Sequence, residues 1–339
     1  MYCDLRIPGR PKWYIWEPHN SMQIPDEIRK CVVFLGFTKA DGTHHLRGTG
    51  FFVSRPADTI EDLIFCYLVT ARHVIQKIMN LGLDSVSIRA NLKNGESIWV
   101  DVPASAWVFH ETDPTVDVAV VPFKWSYSLD HLLYPLSASL APSIIAHHRV
   151  GPGDDVFLAG LFSQHFGRER NIPVVRVGNI SAMPGEKVMT KMGPIDAYLV
   201  EARSTGGISG SPVFLHLGGG RTGSGGFSIT TPTYYLLGMV HGHFDEPDAV
   251  ADVVEDDLSS EKINMGIGIV VPVDKILEVL AHPEIVEKEM AEKRLKRDKN
   301  LPSMDSEDIP VDDRESFTKD DFEEALRKVS RKIEPPKPS

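Results

Sequence analysis

Ser209, His73 and Asp117 have the residue types and local settings of a nucleophile, a base and an orienting carboxylate. Ser209 sits in Gly207-Ile208-Ser209-Gly210-Ser211-Pro212, directly before the apolar run Val213-Phe214-Leu215. A glycine-flanked turn lets a hydroxyl stand clear of its own backbone and leaves N–H groups free for a developing oxyanion. Gly207 and Ser209 are the expected donors of that kind. A serine hydroxyl is a poor nucleophile until a base takes its proton, and His73 is offered at the exit of the β-rich run Tyr67-Leu68-Val69-Thr70-Ala71. Asp117 opens Val118-Ala119-Val120-Val121 and is placed to orient the imidazole and stabilise the imidazolium. Alone, each residue has a bland reading: a packed histidine, a strand-edge aspartate, a serine in a turn. Their order in the chain, with strands flanking each, makes them a candidate triad.

Several further segments fall in a matching sequence. Gly48-Thr49-Gly50-Phe51-Phe52-Val53 precedes the histidine. Gly153-Asp154-Asp155-Val156 and Val177-Gly178-Asn179-Ile180-Ser181 precede the serine, and Gly266-Ile267-Gly268-Ile269-Val270-Val271-Pro272-Val273 follows it. With the order histidine, aspartate, serine, the chain from about Lys30 to Leu280 resembles a trypsin-like serine peptidase, and within that group the HtrA branch. α/β-Hydrolases place the serine first and are excluded by that order. The resemblance implies a chymotrypsin-like all-β fold, two six-stranded antiparallel barrels with the triad between them. It also implies cleavage of peptide bonds through an acyl-enzyme. The alternative is a silent relative that keeps the fold as a peptide-binding or scaffold module.

The elements required to position these residues are legible as short β-rich runs punctuated by turns. They are Cys31–Phe37, Gly48–Val53, Phe65–Thr70, Ser85–Ala90, Ser97–Val102 and Val116–Pro122, then Asp155–Leu161, Val174–Ile180, Tyr198–Glu201, Pro212–Leu217, Tyr234–His241 and Gly266–Val270. The organisation read from them is an N-terminal arm (1–27), a first barrel (28–124), a linker (125–149), a second barrel with a closing helix (150–282) and a charged, partly disordered tail (283–339). Within the tail, Glu284–Lys299 has the composition of a charged helix. Phe322, Leu326 and Val329 share one face of a short amphipathic helix that would suit a protein partner.

Length and composition narrow the function classes. The chain has 339 residues and a formal net charge of −11, which argues against a general nucleic-acid binder. No run has the length of a membrane span, and Met1-Tyr2-Cys3-Asp4-Leu5-Arg6 lacks a signal-peptide core, so a cytoplasmic location is the expectation. Three cysteines, Cys3, Cys31 and Cys66, do not make a disulfide framework, and buried thiols are expected for the last two. The residue pattern asks for no metal or cofactor. The glycine-rich stretch 218–226 reads as a hairpin tip, and the acidic stretch 245–261 as a solvated loop.

Specificity residues follow from the resemblance. Arg203, with Ser204 and Thr205, falls at the base of the family's primary pocket, where it would either pair with an acidic side chain or turn to solvent. His241, Gly242 and His243 lie on the strand that resembles the substrate-pairing strand. Two apart, the histidines point to one face. They would recognise Glu or Gln, pack or make a local hydrogen bond, or bind a metal for which no third ligand is evident. Ile208 stands where digestive relatives carry an aspartate that pairs with a freed N-terminus, so that mode of activation is disfavoured. Regulation is expected instead through the loops 185–192 and 204–207. The PDZ domain of the best-known HtrA proteins has no counterpart here.

Overall fold

The structure is a computed structural model and describes residues 24–60, 63–124, 126, 128–190, 192–202, 207–218, 233–245 and 264–300. The apolar runs become strands because they are rich in β-branched and aromatic residues, which fit a pleated, buried surface. In chain order the elements begin with α1 (Asp26–Arg29), β1 (Val32–Thr38), β2 (His44–Pro56), β3 (Ile64–Thr70), α2 (Arg72–Met79), β4 (Ser85–Asn91) and β5 (Ser97–Pro103). There follow β6 (Val108–Phe109), β7 (Ala119–Pro122), β8 (Tyr134–Pro135), α3 (Pro142–His148), β9 (Asp155–Gly160), β10 (Val174–Ala182), β11 (Val188–Thr190) and β12 (Gly193–Ile195). The chain continues through β13 (Tyr198–Glu201), β14 (Pro212–Leu217), β15 (Thr233–Asp245), β16 (Asn264–Pro272), α4 (Val273–Leu280) and α5 (Pro283–Asn300).

The second lobe is the expected six-stranded barrel, closed in the order β10-β13-β16-β15-β14-β9. The first lobe departs from expectation. It is an eight-stranded sheet, β5-β4-β1-β2-β3-β7-β6 with β8 alongside β2, and its ends do not pair. Closure would need β5 and β6 to offer matched backbone, but β6 has only two residues. Between them Ala104 N–H bonds the Asp84 carbonyl at 2.7 Å. A short 3-10 turn over Ala104–Ala106 then carries the chain away from β5. Pro103 at the end of β5 has no N–H to donate across such a seam.

One apolar cluster runs through both lobes, from Phe34, Phe51, Leu68 and Val120 to Phe157, Phe214, Met239 and Ile276. The Phe157 and Phe214 rings stack at 5.1 Å, and Tyr134 meets Phe214 at 4.9 Å. Burying each such side chain contributes about 2–3 kcal/mol, so the junction under the cleft is a packed interface. A polar clamp adds to it. The buried Arg89 guanidinium donates to the carbonyls of Gly167 and Arg168 at 2.7 and 2.6 Å, and Asn171 Nδ2 donates to the Arg89 carbonyl at 2.6 Å.

The charged run after Pro283 is anchored where it begins. Ile285 is fully buried. The mostly buried Glu289 accepts from Tyr67 Oη on β3 and from Arg55 Nε on β2, the latter at 2.7 Å. Cys31 and Cys66 are free and buried, and burial pushes both thiols up, that of Cys66 to about 12. None of the described helices is long and apolar enough to cross a membrane. Nearly all of the N-terminal arm, the glycine-rich stretch, the acidic stretch and the helix carrying Phe322, Leu326 and Val329 lie outside the described residues.

Candidate active site

β3 ends at Thr70, and the chain turns at Ala71 straight into α2, placing His73 in its first turn. Backbone N–H groups there have no partner within the helix. Asp117 supplies one: its Oδ1 accepts from His73 N–H at 2.8 Å, while its Oδ2 lies 2.7 Å from His73 Nδ1. One carboxylate therefore caps the helix and orients the imidazole. Asp117 is held in turn by the loop before β7. Thr115 donates its N–H and hydroxyl to Asp113 Oδ1 at 2.8 and 2.6 Å, and Arg72 Nη1 reaches the Pro114 carbonyl at 3.3 Å.

Asp117 is completely buried. Burial pushes its carboxyl up, but hydrogen bonds from His241 and His73, together with their charge, outweigh that and hold it at about 2. At neutral pH it is an ionised, acceptor-only group, so a ring nitrogen bonded to it must carry the proton. His73 Nδ1 is thus the donor, and in the neutral ring Nε2 keeps its lone pair for a substrate-side proton.

Ser209 arrives from the second lobe, in the turn before β14. Gly207 and Gly210 take φ of 93° and 86°, the left-handed region that side chains resist. Space forbids a side chain as well: a Cβ would meet Leu161 Cδ2 at 2.9 Å from Gly207, and the Thr49 carbonyl oxygen at 2.0 Å from Gly210. The Gly207 and Ser209 amides donate to no other described residue. Ser209 Oγ donates to the His241 carbonyl at 3.2 Å, and no hydrogen bond joins it to His73. Ile208 points into the second-lobe core with Leu140, Val213 and Leu215.

Thr49, on β2, ties this turn to the first lobe. Its N–H donates to the Ser209 carbonyl and its hydroxyl to the Gly207 carbonyl, each at 2.9 Å, while the same hydroxyl accepts from Leu161 N–H at 2.9 Å. The sequence reading used Thr49 only as part of a strand motif. The available signal was a hydroxyl between two glycines directly before the apolar run Phe51-Phe52-Val53.

His241, whose expected roles were substrate recognition, metal binding or a local packing or hydrogen-bonding one, commits Nδ1 to Asp117 Oδ2 at 2.5 Å. Its ring stands at 76° to that of His73, centroids 5.6 Å apart. The register of β15 against β16 shifts between Val240 and Gly242 and again between His243 and Asp245. Such bulges re-aim side chains, and the first of them falls at His241. At Gly242 a Cβ would meet no atom of the described residues within 4 Å. Arg203, Ser204 and Thr205 lie outside the described residues. His73, Asp117 and His241 bring potential ligand atoms within 4.8 Å of one another. Both Nδ1 atoms are occupied as donors to the carboxylate, so the cluster is a hydrogen-bonded one. Behind Asp117 a recess is lined by Asp113, Lys187, Asp196 and Lys275.

No protein-family model and no curated protein sequence matches the chain. Among solved structures, the MamO protease domain from Magnetospirillum magneticum in its apo form is similar with a TM-score of 0.42 at 16% identity, covering 74% of this chain and 96% of that one. Deg5 is similar with a TM-score of 0.40 at 16% identity, covering 74% and 87%. The Rv3671c protease in its inactive form has a TM-score of 0.38 at 18% identity, covering 75% and 88%.

Proposed function

We propose that the chain is a serine endopeptidase acting through Ser209, His73 and Asp117. The observation that carries this reading is the double grip of a buried, ionised Asp117 on His73, which leaves Nε2 as a free base at the lobe junction beside the glycine-flanked Ser209. In the reaction the Ser209 hydroxyl leaves the His241 carbonyl and gives its proton to His73 Nε2 as Oγ attacks a peptide carbonyl. The amides of Gly207 and Ser209, which donate to no other described residue, receive the oxyanion, a kind of donor worth about 3 kcal/mol each. His73 then protonates the leaving amine, and water releases the acyl group by the same steps in reverse order. Asp117 stays ionised throughout and stabilises the imidazolium. The substrate is a protein or peptide segment. Its side-chain preference falls to the region of Arg203, Ser204, Thr205, Gly242 and His243.

A second reading is favoured by one observation, that Ser209 Oγ bonds the His241 carbonyl and not His73. It is a peptide-binding module with a silent site. Labelling with a fluorophosphonate separates the two. The wild-type chain is expected to be labelled and Ser209→Ala is not. Absence of Ser209-dependent labelling, with and without added peptides, overturns the endopeptidase reading in favour of the binding module.

A further inference from the structure

Asp117 Oδ2 accepts two imidazoles, His73 Nδ1 at 2.7 Å and His241 Nδ1 at 2.5 Å. Only one of them was required to build a base. The second comes from β15 of the other lobe, from a residue whose carbonyl also holds the Ser209 hydroxyl. A bulge in β15 re-aims this position, so the contact is built into the strand. We propose that His241 is a positioning residue that controls the protonation of His73 through their shared carboxylate. The inference rests on the reading of His73 as the base for Ser209.

Two effects act in the same direction. A carboxylate oxygen that already accepts one N–H has less lone-pair density for another, so His241 weakens the pull of Asp117 on a proton at His73. The carboxylate also carries a single negative charge. One imidazolium neutralises it, and a second, with the rings 5.6 Å apart, meets net repulsion. The other charges near Asp117 largely cancel among themselves: Lys187 pairs with Asp196 at 3.2 Å, and Lys275 pairs with Glu278 at 2.9 Å. Asp113, which also lines the recess behind Asp117, is occupied by Thr115. A proton on either histidine therefore opposes a proton on the other, and His73 remains a free base at lower pH than it would beside a residue that does not titrate.

The test compares the full-length wild type with His241→Gln, which keeps an N–H donor for Asp117 but takes up no proton. His241→Ser serves as a second, smaller replacement if the glutamine disturbs β15. Two readouts are needed: the His73 ring titration followed by nitrogen NMR, and the pH profile of fluorophosphonate labelling at Ser209. The expected result is that both move to higher pH in the variants. The labelling rate at about pH 5.5, relative to that at about pH 8, then falls by about three- to tenfold, as a shift of up to one unit would give. A His73 titration that superimposes in wild type and variants overturns the inference, even if Ser209 is labelled normally. A titration that moves in a chain never labelled at Ser209 supports the control of His73 and overturns the endopeptidase reading alone.

Discussion

His73 and Ser209 meet at the same lobe junction but are held by different means. His73 is fixed by its own amide and ring, both bonded to a buried carboxylate. Ser209 is fixed through its backbone, by Thr49 across the junction and by the Gly210 amide on the Val240 carbonyl, while its hydroxyl rests on the His241 carbonyl. The proposed base is preset by side-chain bonds. The proposed nucleophile is placed by main-chain bonds that leave its hydroxyl to be turned. Damage on the first side should therefore appear mainly in the chemistry, and damage on the second mainly in stability and alignment.

The largest effect is expected from Asp117→Asn. An amide cannot present oxygens to the His73 amide and to both rings at once, so one ring loses its acceptor or changes tautomer. The labelling rate at Ser209 should drop about 10³–10⁴-fold. The same variant tests the acid behaviour. The Asp117 carboxyl is held at about 2, below the ordinary value of 3.8, so its stabilisation is fully present above about pH 4 and is lost as pH falls through 2. Chemical denaturation should show a gap between wild type and variant that persists down to about pH 4 and closes toward pH 2. A gap that closes already between pH 6 and 5 would contradict that account.

Next in size is Ile208→Asp, which introduces the aspartate found before the serine in cleavage-activated serine peptidases. Here it would bury a carboxylate among Leu140, Val213 and Leu215, at a cost of about 3–5 kcal/mol. A thermal melt should fall sharply with no gain in labelling; an unchanged melt would mean that Ile208 is not a core residue. Thr49→Ala comes third. It orphans the Gly207 carbonyl and the Leu161 amide, costing about 2–3 kcal/mol. It should slow labelling through misalignment of the turn and leave the pH profile unmoved. Thr49→Ser keeps the hydroxyl and should cost under about 1 kcal/mol; equal losses in the two variants would assign the effect to the methyl group.

The residues that were legible in the sequence are those whose role is local. Tyr198–Glu201 and Pro212–Leu217 form strands over the residues expected, because their apolar runs are bounded by turn residues. The glycines around Ser209 announced a turn that only they can make. What was not legible depends on partners distant in the chain. α2 was hidden by the strand running into it, although Val74, Ile75 and Ile78 have helical spacing and are all buried. Closure of the first sheet failed on β6, whose two residues no periodicity would flag. The bond from His241 to Asp117 needed a bulge in β15; Gly242 is a local sign of a bulge, but nothing in Val240-His241-Gly242 names the distant partner.

The anchoring of α5 sets where this molecule can be cut. Tyr67 and Arg55 belong to the sheet that carries His73, yet their polar groups are satisfied by Glu289, a residue well past the last strand. A chain trimmed at the end of α4 would leave a buried phenol without its acceptor and a guanidinium over an emptied groove. The charged run therefore belongs to the folded body at least through Glu289, and the smallest independently folding unit is longer than the strands alone would imply.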